Sequence, residues 1–161
     1  MSGLNIVTAD YRSPRDRRAI TELMDCYARD PMGGGQPITP DKLAVLCDHL
    51  AAFPGAVTLL AYDQDRALGL VTAFPGFSTF RCAPLFNIHD VVVVPEARGQ
   101  GICRQMLAAL EGVARDRGCC KLTLEVLAGN EVARGVYARI GFAGYALDPA
   151  AGEALFWEKS L

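Results

Sequence analysis

Two periodicities alternate along this chain. After an opening strand, Ile20, Leu23, Met24 and Tyr27 recur at three- and four-residue spacing, the mark of a helix with one buried face. Ser13, Pro14 and Asp16 supply the cap, first-turn proline and acidic residue of its start, and Pro31 ends it. A glycine-rich loop at 32–37 leads to Thr39 and Pro40, which open a second helix with Leu43, Leu46, Cys47 and Leu50 inside. The block AVTLLAY (56–62), a polar turn at 63–66 and ALGLVTAF (67–74) predict a hairpin. Residues 77–84 read as a loop. Residues 85–94 end in four valines, the composition of a strand covered on both faces.

Helical spacing returns over 99–117, with Ile102, Met106, Leu107, Leu110, Val113 and Ala114 on one side and Gly118 as terminator. CKLTLEV (120–126) is a strand. Asn130 caps a helix expected to bury Val132, Ala133, Val136, Tyr137 and Ile140, closed by Gly141. Two last strands are expected at 142–147 and 154–159. The order is βααββ, βαβ, αββ. The strand–helix–strand units imply parallel pairing in the second half and the hairpins antiparallel pairing elsewhere. We expect an α/β domain, 1–161, built on a mixed, mostly antiparallel sheet with a parallel central pair and helices on both faces.

Composition narrows the classes. Half the 161 residues are apolar (51%), enough for a core without staples. A net charge of −2 argues against nucleic-acid or membrane-surface binding. No signal-peptide pattern or membrane-length apolar run occurs, so the expected compartment is the cytoplasm. The six cysteines form no CxxC pair, and His49 and His89 are the only histidines, so no metal site is expected. The thiols read as reduced and mostly as packing.

The chemistry-bearing segment is VVVVPEARGQGICR (91–104), where a buried strand turns through glycines into a helix. Unpaired N–H groups and the positive dipole end of a helix, approached through glycine, suit a pyrophosphate. A plain strand-to-helix turn explains the glycines alone equally well. Only Gly99 and Gly101 are present, so a GxGxxG fingerprint fits poorly. No GK[ST] follows for a P-loop.

In register, Val93, Pro95, Arg98, Gly99 and Gly101 resemble the acetyl-CoA motif V-x-P-x-x-R-G-x-G-x-G/A of the GNAT superfamily of N-acetyltransferases, with Cys103 at the final small position. Asn130, Ala133, Tyr137, Gly141 and Phe142 resemble the second pattern of that family, N-x-x-A-x-x-x-Y-x-x-x-G-F. The clear resemblance covers 90–142; the first eighty residues fit by element order only.

The resemblance implies a direct transfer of acetyl from acetyl-CoA, as co-substrate and without a metal, to a small-molecule or peptide amine. It assigns backbone contacts with the pantetheine arm and acetyl carbonyl to Val91, Val92 and Val93. The pyrophosphate falls to Arg98, Gly99, Gln100, Gly101, Ile102 and Cys103, with charge from Arg104. Asn130 is expected on the pantetheine side, and Tyr137 at the position of the general acid. A thiol near pKa ~8.5 and a tyrosine near ~10 make that proton transfer feasible. A core aromatic is the plainer alternative for Tyr137.

Simple alternation puts Asn87, His89, Val91 and Val93 on one face and Asp90 on the other, where Asp90 reads as a structural residue that pairs with a loop. His89 is then a candidate base, directly or through water, and Glu125 on the neighbouring strand a second. Packing explains His89 equally simply, and an ion pair or a solvated strand end is the plainer reading of Glu125. Cys103 is either a thiolate-prone site beside a helix start or a small residue. Asp25, Asp30, Asp41 and Asp48 are candidate negative charges near the acceptor, and a solvated helix face explains them equally well. Homodimers are common in the family. A non-catalytic acetyl-CoA-binding module and a transferase using another acyl donor are the competing readings.

Overall fold

The computed structural model describes residues 3–145 and 147–161. It forms two compact units, one up to Leu124 and one from Glu125 onward. The elements are β1 (Leu4–Thr8), α1 (Pro14–Arg29), α2 (Pro40–Ala52), β2 (Val57–Asp63), β3 (Arg66–Ser78), β4 (Ala83–Val93), α3 (Ile102–Asp116), β5 (Leu122–Leu124) and α4 (Glu131–Arg139). Single 3-10 turns occupy Pro31–Gly33, Pro95–Ala97 and Pro149–Ala151.

The first unit holds a five-stranded sheet in the order β1-β2-β3-β4-β5. The first four strands pair antiparallel, and β5 joins β4 in parallel at the end of the sheet. The mixed, mostly antiparallel sheet with one parallel pair is the architecture the sequence implies; among the described residues that pair lies at the end of the sheet and not at its centre.

Helices cover both faces. On one, Ala19, Ile20 and Leu23 of α1 and Cys47 and Leu50 of α2 pack on Leu60, Tyr62, Leu70 and Val92. On the other, α3 presses so closely on β3 that a side chain at Gly69 would meet Met106 Cε and the Val92 carbonyl oxygen, each at 2.9 Å. Glycine is needed there for space. Burial of this kind contributes about 25 cal/mol per Å² of apolar surface, so these two layers dominate the stability of the unit.

One polar knot lies in the α1 layer. Ser13 Oγ accepts the Asp16 N–H at 3.4 Å, the cap expected from sequence. Asp16, 8% exposed, accepts from the Asp10 N–H at 2.9 Å and from the Tyr62 hydroxyl at 2.8 Å. It ties the loop before α1 and the β2 strand to the helix start.

Three expectations are corrected. The loop expected at 77–84 is shorter, a turn at 79–82, because the β3–β4 ladder continues to Phe77↔Pro84 and Ser78↔Ala83 and so pairs backbone groups that a loop would leave to water. The strand expected over 120–126 is only Leu122–Leu124. The last two strands, 142–147 and 154–159, do not form among the described residues; Ala146 of the first lies outside them. A strand needs a ladder partner, and two short segments alone make a marginal hairpin.

In the second unit, Asn130 Oδ1 caps α4 by accepting the Ala133 N–H at 3.1 Å. Ala133, Val136, Tyr137 and Ile140 form one half-buried stripe at i, i+3, i+4 and i+7. Val132, expected on that stripe, lies a step around the helix and is 81% exposed.

Candidate active site

The site begins where two strands part. β4 is paired along one edge with β3, but β5 pairs with it only at Phe86, Ile88 and Asn87 between them. Beyond Ile88, among the described residues, no strand pairs with that second edge. The Val94 N–H donates to the Leu68 carbonyl on the β3 side at 3.0 Å. In an antiparallel ladder the N–H and C=O of one residue point the same way and alternate along the strand. Val92 therefore turns its backbone to β3 and its side chain, 4% exposed, into the core. Val91 and Val93 turn their backbone groups to the open edge. Of the three expected valines, Val91 and Val93 thus have backbone groups on that edge, and the Val93 carbonyl is taken by Arg98 at 3.1 Å.

The open edge runs into the glycine turn. Gly99 and Gly101 have φ of 76° and 78°, a conformation that favours glycine, and the space beside both is open. Gly101 is the N-cap of α3 and has no side chain to cap it. The first-turn N–H groups of Ile102, Cys103 and Arg104 are left for an outside acceptor, at the positive end of a 15-residue helix. The Ile102 side chain is buried, so its N–H is what it has to offer. Arg104 is exposed. An anion such as a pyrophosphate fits this turn.

Other parts of the turn brace it. Gln100 Nε2 donates to the Glu96 carbonyl at 3.2 Å. The Arg98 guanidinium donates to the Val93 carbonyl at 3.1 Å and to the Asp30 carboxylate at 2.9 Å. Asp30 also accepts the Met32 N–H, and that bond, followed by Arg98, holds its carboxyl below the ordinary range. The motif arginine thus holds the turn to the loop after α1, and the Asp30 charge is already matched. Burial pushes the Cys103 thiol up to about 11, which favours the small-residue reading over a reactive thiolate.

The alternation expected for β4 is overturned at one point. The register jumps from Ala73↔Ile88 to Thr72↔Asp90, so His89 is an extra residue, a β-bulge. Past a bulge the faces exchange. Asp90 and Val92 stand on the α1/α2 face with Thr72 and Leu70, and Val91 and Val93 stand on the α3 face. Asn87 pairs with Phe74 on the α1/α2 face and donates to Thr123 Oγ1 on β5 at 3.1 Å. His89 is exposed, with its ring edge-on to Phe74 at 5.7 Å. His89 therefore does not share a face with Val91 and Val93, and Asp90 is not turned away from the acceptor candidates. Single-residue alternation carries no sign of a bulge, so the sequence did not show it.

The remaining candidates lie in the second unit. Glu125 follows the end of β5 and is exposed, so it is not on the strand as expected. Asn130 uses its carbonyl oxygen as the α4 cap. Tyr137 is half-buried, with its ring 6.0 Å from that of Phe142.

A separate cavity of about 630 Å³ lies between α1 and the β2–β3 turn, lined by Arg15, Arg18, Glu22, Tyr62 and Arg66 among others. It contains none of the residues expected to carry chemistry. Among the described residues no group of His, Cys, Asp and Glu is placed to hold a metal ion, and no helix is long and apolar enough to cross a membrane.

Known proteins resemble this chain in sequence and fold. The family model described as the acetyltransferase (GNAT) family matches residues 18–142. The uncharacterized N-acetyltransferase YhfO of Bacillus subtilis is 30% identical over 87 residues, 54% of this chain and 58% of its own length. Glucosamine 6-phosphate N-acetyltransferase 1 of Oryza sativa subsp. japonica is 31% identical over 111 residues, 66% of this chain and 65% of its own. The chain thus spans less than two thirds of the length of these curated relatives. A crystal structure described as a probable acetyltransferase superposes with a TM-score of 0.81, covering 97% of this chain and 98% of that one at 23% identity, which is a likeness of fold. With both halves of its motif inside the matched span, the chain belongs to the acetyltransferase (GNAT) family.

Proposed function

We propose that the protein is an N-acetyltransferase that moves an acetyl group directly from acetyl-CoA to an amine. The observation that carries this reading is the open edge of β4, continuous with the uncapped start of α3. From Val93 back to His89 is four residues, about 13 Å at ~3.3 Å per residue. An extended arm whose pyrophosphate rests on Ile102, Cys103 and Arg104 would follow the Val91 and Val93 backbone and bring its thioester end to the fork at His89. Acetyl-CoA supplies the thioester there.

In the transfer the amine nitrogen forms a bond to the acyl carbon, and the carbon–sulfur bond breaks. The electron pair of that bond leaves on sulfur. An alkylamine with a pKa of ~10.4 arrives protonated at neutral pH. His89, exposed at the bulge, receives that proton directly or orders the water that does. Glu125 is the second candidate for that task. Tyr137 gives its proton to the leaving sulfur and regains one when the nitrogen, now bonded to the acyl carbon, sheds its second proton as the amide forms. Backbone N–H groups on the open edge polarise the acyl carbonyl. The roles of Tyr137, Asn130 and Glu125 rest on the family pattern. The rice relative, by its name, acts on an amino sugar; that supports an amine acceptor as a class.

Calorimetric titration with acetyl-CoA tests binding, and a thiol-release screen over polyamines, aminoglycosides, amino acids and short peptides tests transfer. Binding together with release on one acceptor class is expected. Tyr137→Phe should lower turnover ~100-fold, the scale of a lost proton donor, with acetyl-CoA affinity unchanged. Binding without release on any acceptor would point to a non-catalytic module, and unaltered turnover in the phenylalanine variant would remove Tyr137 from the chemistry.

A further inference from the structure

Asp90 takes no part in the mechanism above, yet it stands where the two strands separate. The bulge at His89 turns it onto the α1/α2 face, opposite Thr72. It is half-buried. Its neighbours on that face are mostly apolar or hydroxylic: Val92 and Leu70 along the sheet, Thr72 across from it, and Tyr27 on α1 close enough to feel its charge. Thr72 itself is engaged by Thr58 at 3.0 Å, and Thr58 by the Tyr11 hydroxyl at 3.0 Å.

Every ion pair of the described residues lies elsewhere: Arg15–Asp65, Arg17–Asp48, Arg29–Asp25, Arg66–Glu96, Arg98–Asp30 and Arg115–Glu111. Asp30, the other carboxylate close to Tyr27, is already matched by Arg98. Among the described residues Asp90 has no ion-pair partner and no side-chain hydrogen bond. Burial pushes its carboxyl above the ordinary range, with His89 opposing. A carboxylate held partly out of water without a partner is costly to keep, and an arriving cation removes that cost.

We propose that Asp90 is the anchor for the acceptor, receiving its cationic amine beside the fork, and that the protein therefore selects acceptors that carry a positive charge. This rests on the acetyltransferase reading. The ammonium docks on Asp90, one residue from His89 and from the start of the open β4 edge. It is thus held next to the group that takes its proton and to the place where the thioester end falls. An alcohol or an uncharged amine makes no such ion pair and is disfavoured.

The test separates the anchor from the reading beneath it. Wild-type protein and Asp90→Asn are first titrated calorimetrically with acetyl-CoA, and both should bind alike. The CoA-saturated proteins are then titrated with 1,4-diaminobutane, lysine amide and glucosamine, and with the uncharged 1,4-butanediol and glucose. At least one cation should bind the wild type, and Asp90→Asn should weaken it about tenfold or more, the scale of a lost charged contact. Asp90→Glu should restore part of the loss, and the uncharged probes should not distinguish the proteins. If no cation binds, or if the asparagine variant binds it equally well, the anchor is wrong while the acetyl-CoA reading stands. A marked fall in melting temperature for Asp90→Asn would also overturn it, by making the carboxylate a structural group. Failure of the wild type to bind acetyl-CoA would overturn the underlying reading.

Discussion

At the scale of single residues, two aspartates show how differently the fold treats one side chain. Asp30 is held below the ordinary carboxyl range by the Met32 N–H and then Arg98. Its contribution is present above its unfolded pKa and is lost as pH falls through the folded value. Asp90 is shifted the other way by burial. Between its unfolded pKa, near ~3.9, and its raised folded value, the native state binds more protons than the unfolded state. Ionised Asp90 therefore lowers stability progressively as pH rises through that window. Asp90→Asn removes the penalty. Urea unfolding of the two proteins across pH should give equal stabilities below about pH 3.5 and an advantage to the variant at neutral pH. A constant difference at all pH values would mean that the carboxyl is not desolvated. The sequence shows Asp90 plainly but not its environment, because burial and face depend on a bulge one position away.

At the scale of elements, most of the fold is legible because local signals agree with tertiary packing. Ser13, Pro14 and Asp16 start α1 as expected, Asn130 caps α4, and the valine run is β4. Gly99 and Gly101, singled out as places for close backbone approach, are the two residues of the turn that need positive φ. What was not legible depends on partners distant in sequence. The ladder that extends β3 and β4 beyond Phe77 and Pro84 is one case, and the early end of β5 at Leu124 is another. Asp16 joins both categories. It reads as a first-turn acid, worth a few tenths of a kcal/mol to ~1 kcal/mol to a helix. In the structure it also accepts from the Tyr62 hydroxyl, 46 positions away, and from the Asp10 N–H. Burial, with Asp16 adding to it, raises the Tyr62 phenol above its ordinary range. Asp16→Ala strands a buried hydroxyl and an amide, so equilibrium unfolding should show a loss of about 2–3 kcal/mol. Asp16→Asn keeps one acceptor and should lose about half as much. Loss below ~0.5 kcal/mol in the alanine variant would mean that water replaces both contacts.

At the scale of the whole molecule, the family pattern spans both compact units, from the β4 valines to Phe142, while the closing segment departs from expectation. The sequence ALFWEK at 154–159 has the composition of a strand, and a strand was expected there. Composition alone does not supply the second strand on which a ladder depends. In the structure Leu155, Phe156 and Trp157 are 73%, 75% and 83% exposed, and no ladder hydrogen bond holds the backbone. The sheet of the first unit is the opposite case: Leu60, Leu70 and Val71 have no exposure at all, and their backbone lies within paired strands. Proteases cut where a chain can enter their cleft in extended form, which requires local opening of little cost. Brief chymotrypsin digestion should therefore cleave after Tyr145, Leu155, Phe156 or Trp157, and after Phe80 in the exposed β3–β4 turn, well before any buried site in β2, β3 or β4. Mass spectrometry of the digest should find no early cut at Leu59, Leu60, Tyr62, Leu70 or Phe86. Early cleavage at those buried residues would contradict the assignment of stability to that sheet. Protection of Phe156 and Trp157 would show that the closing segment finds a strand partner in solution, as its composition favours.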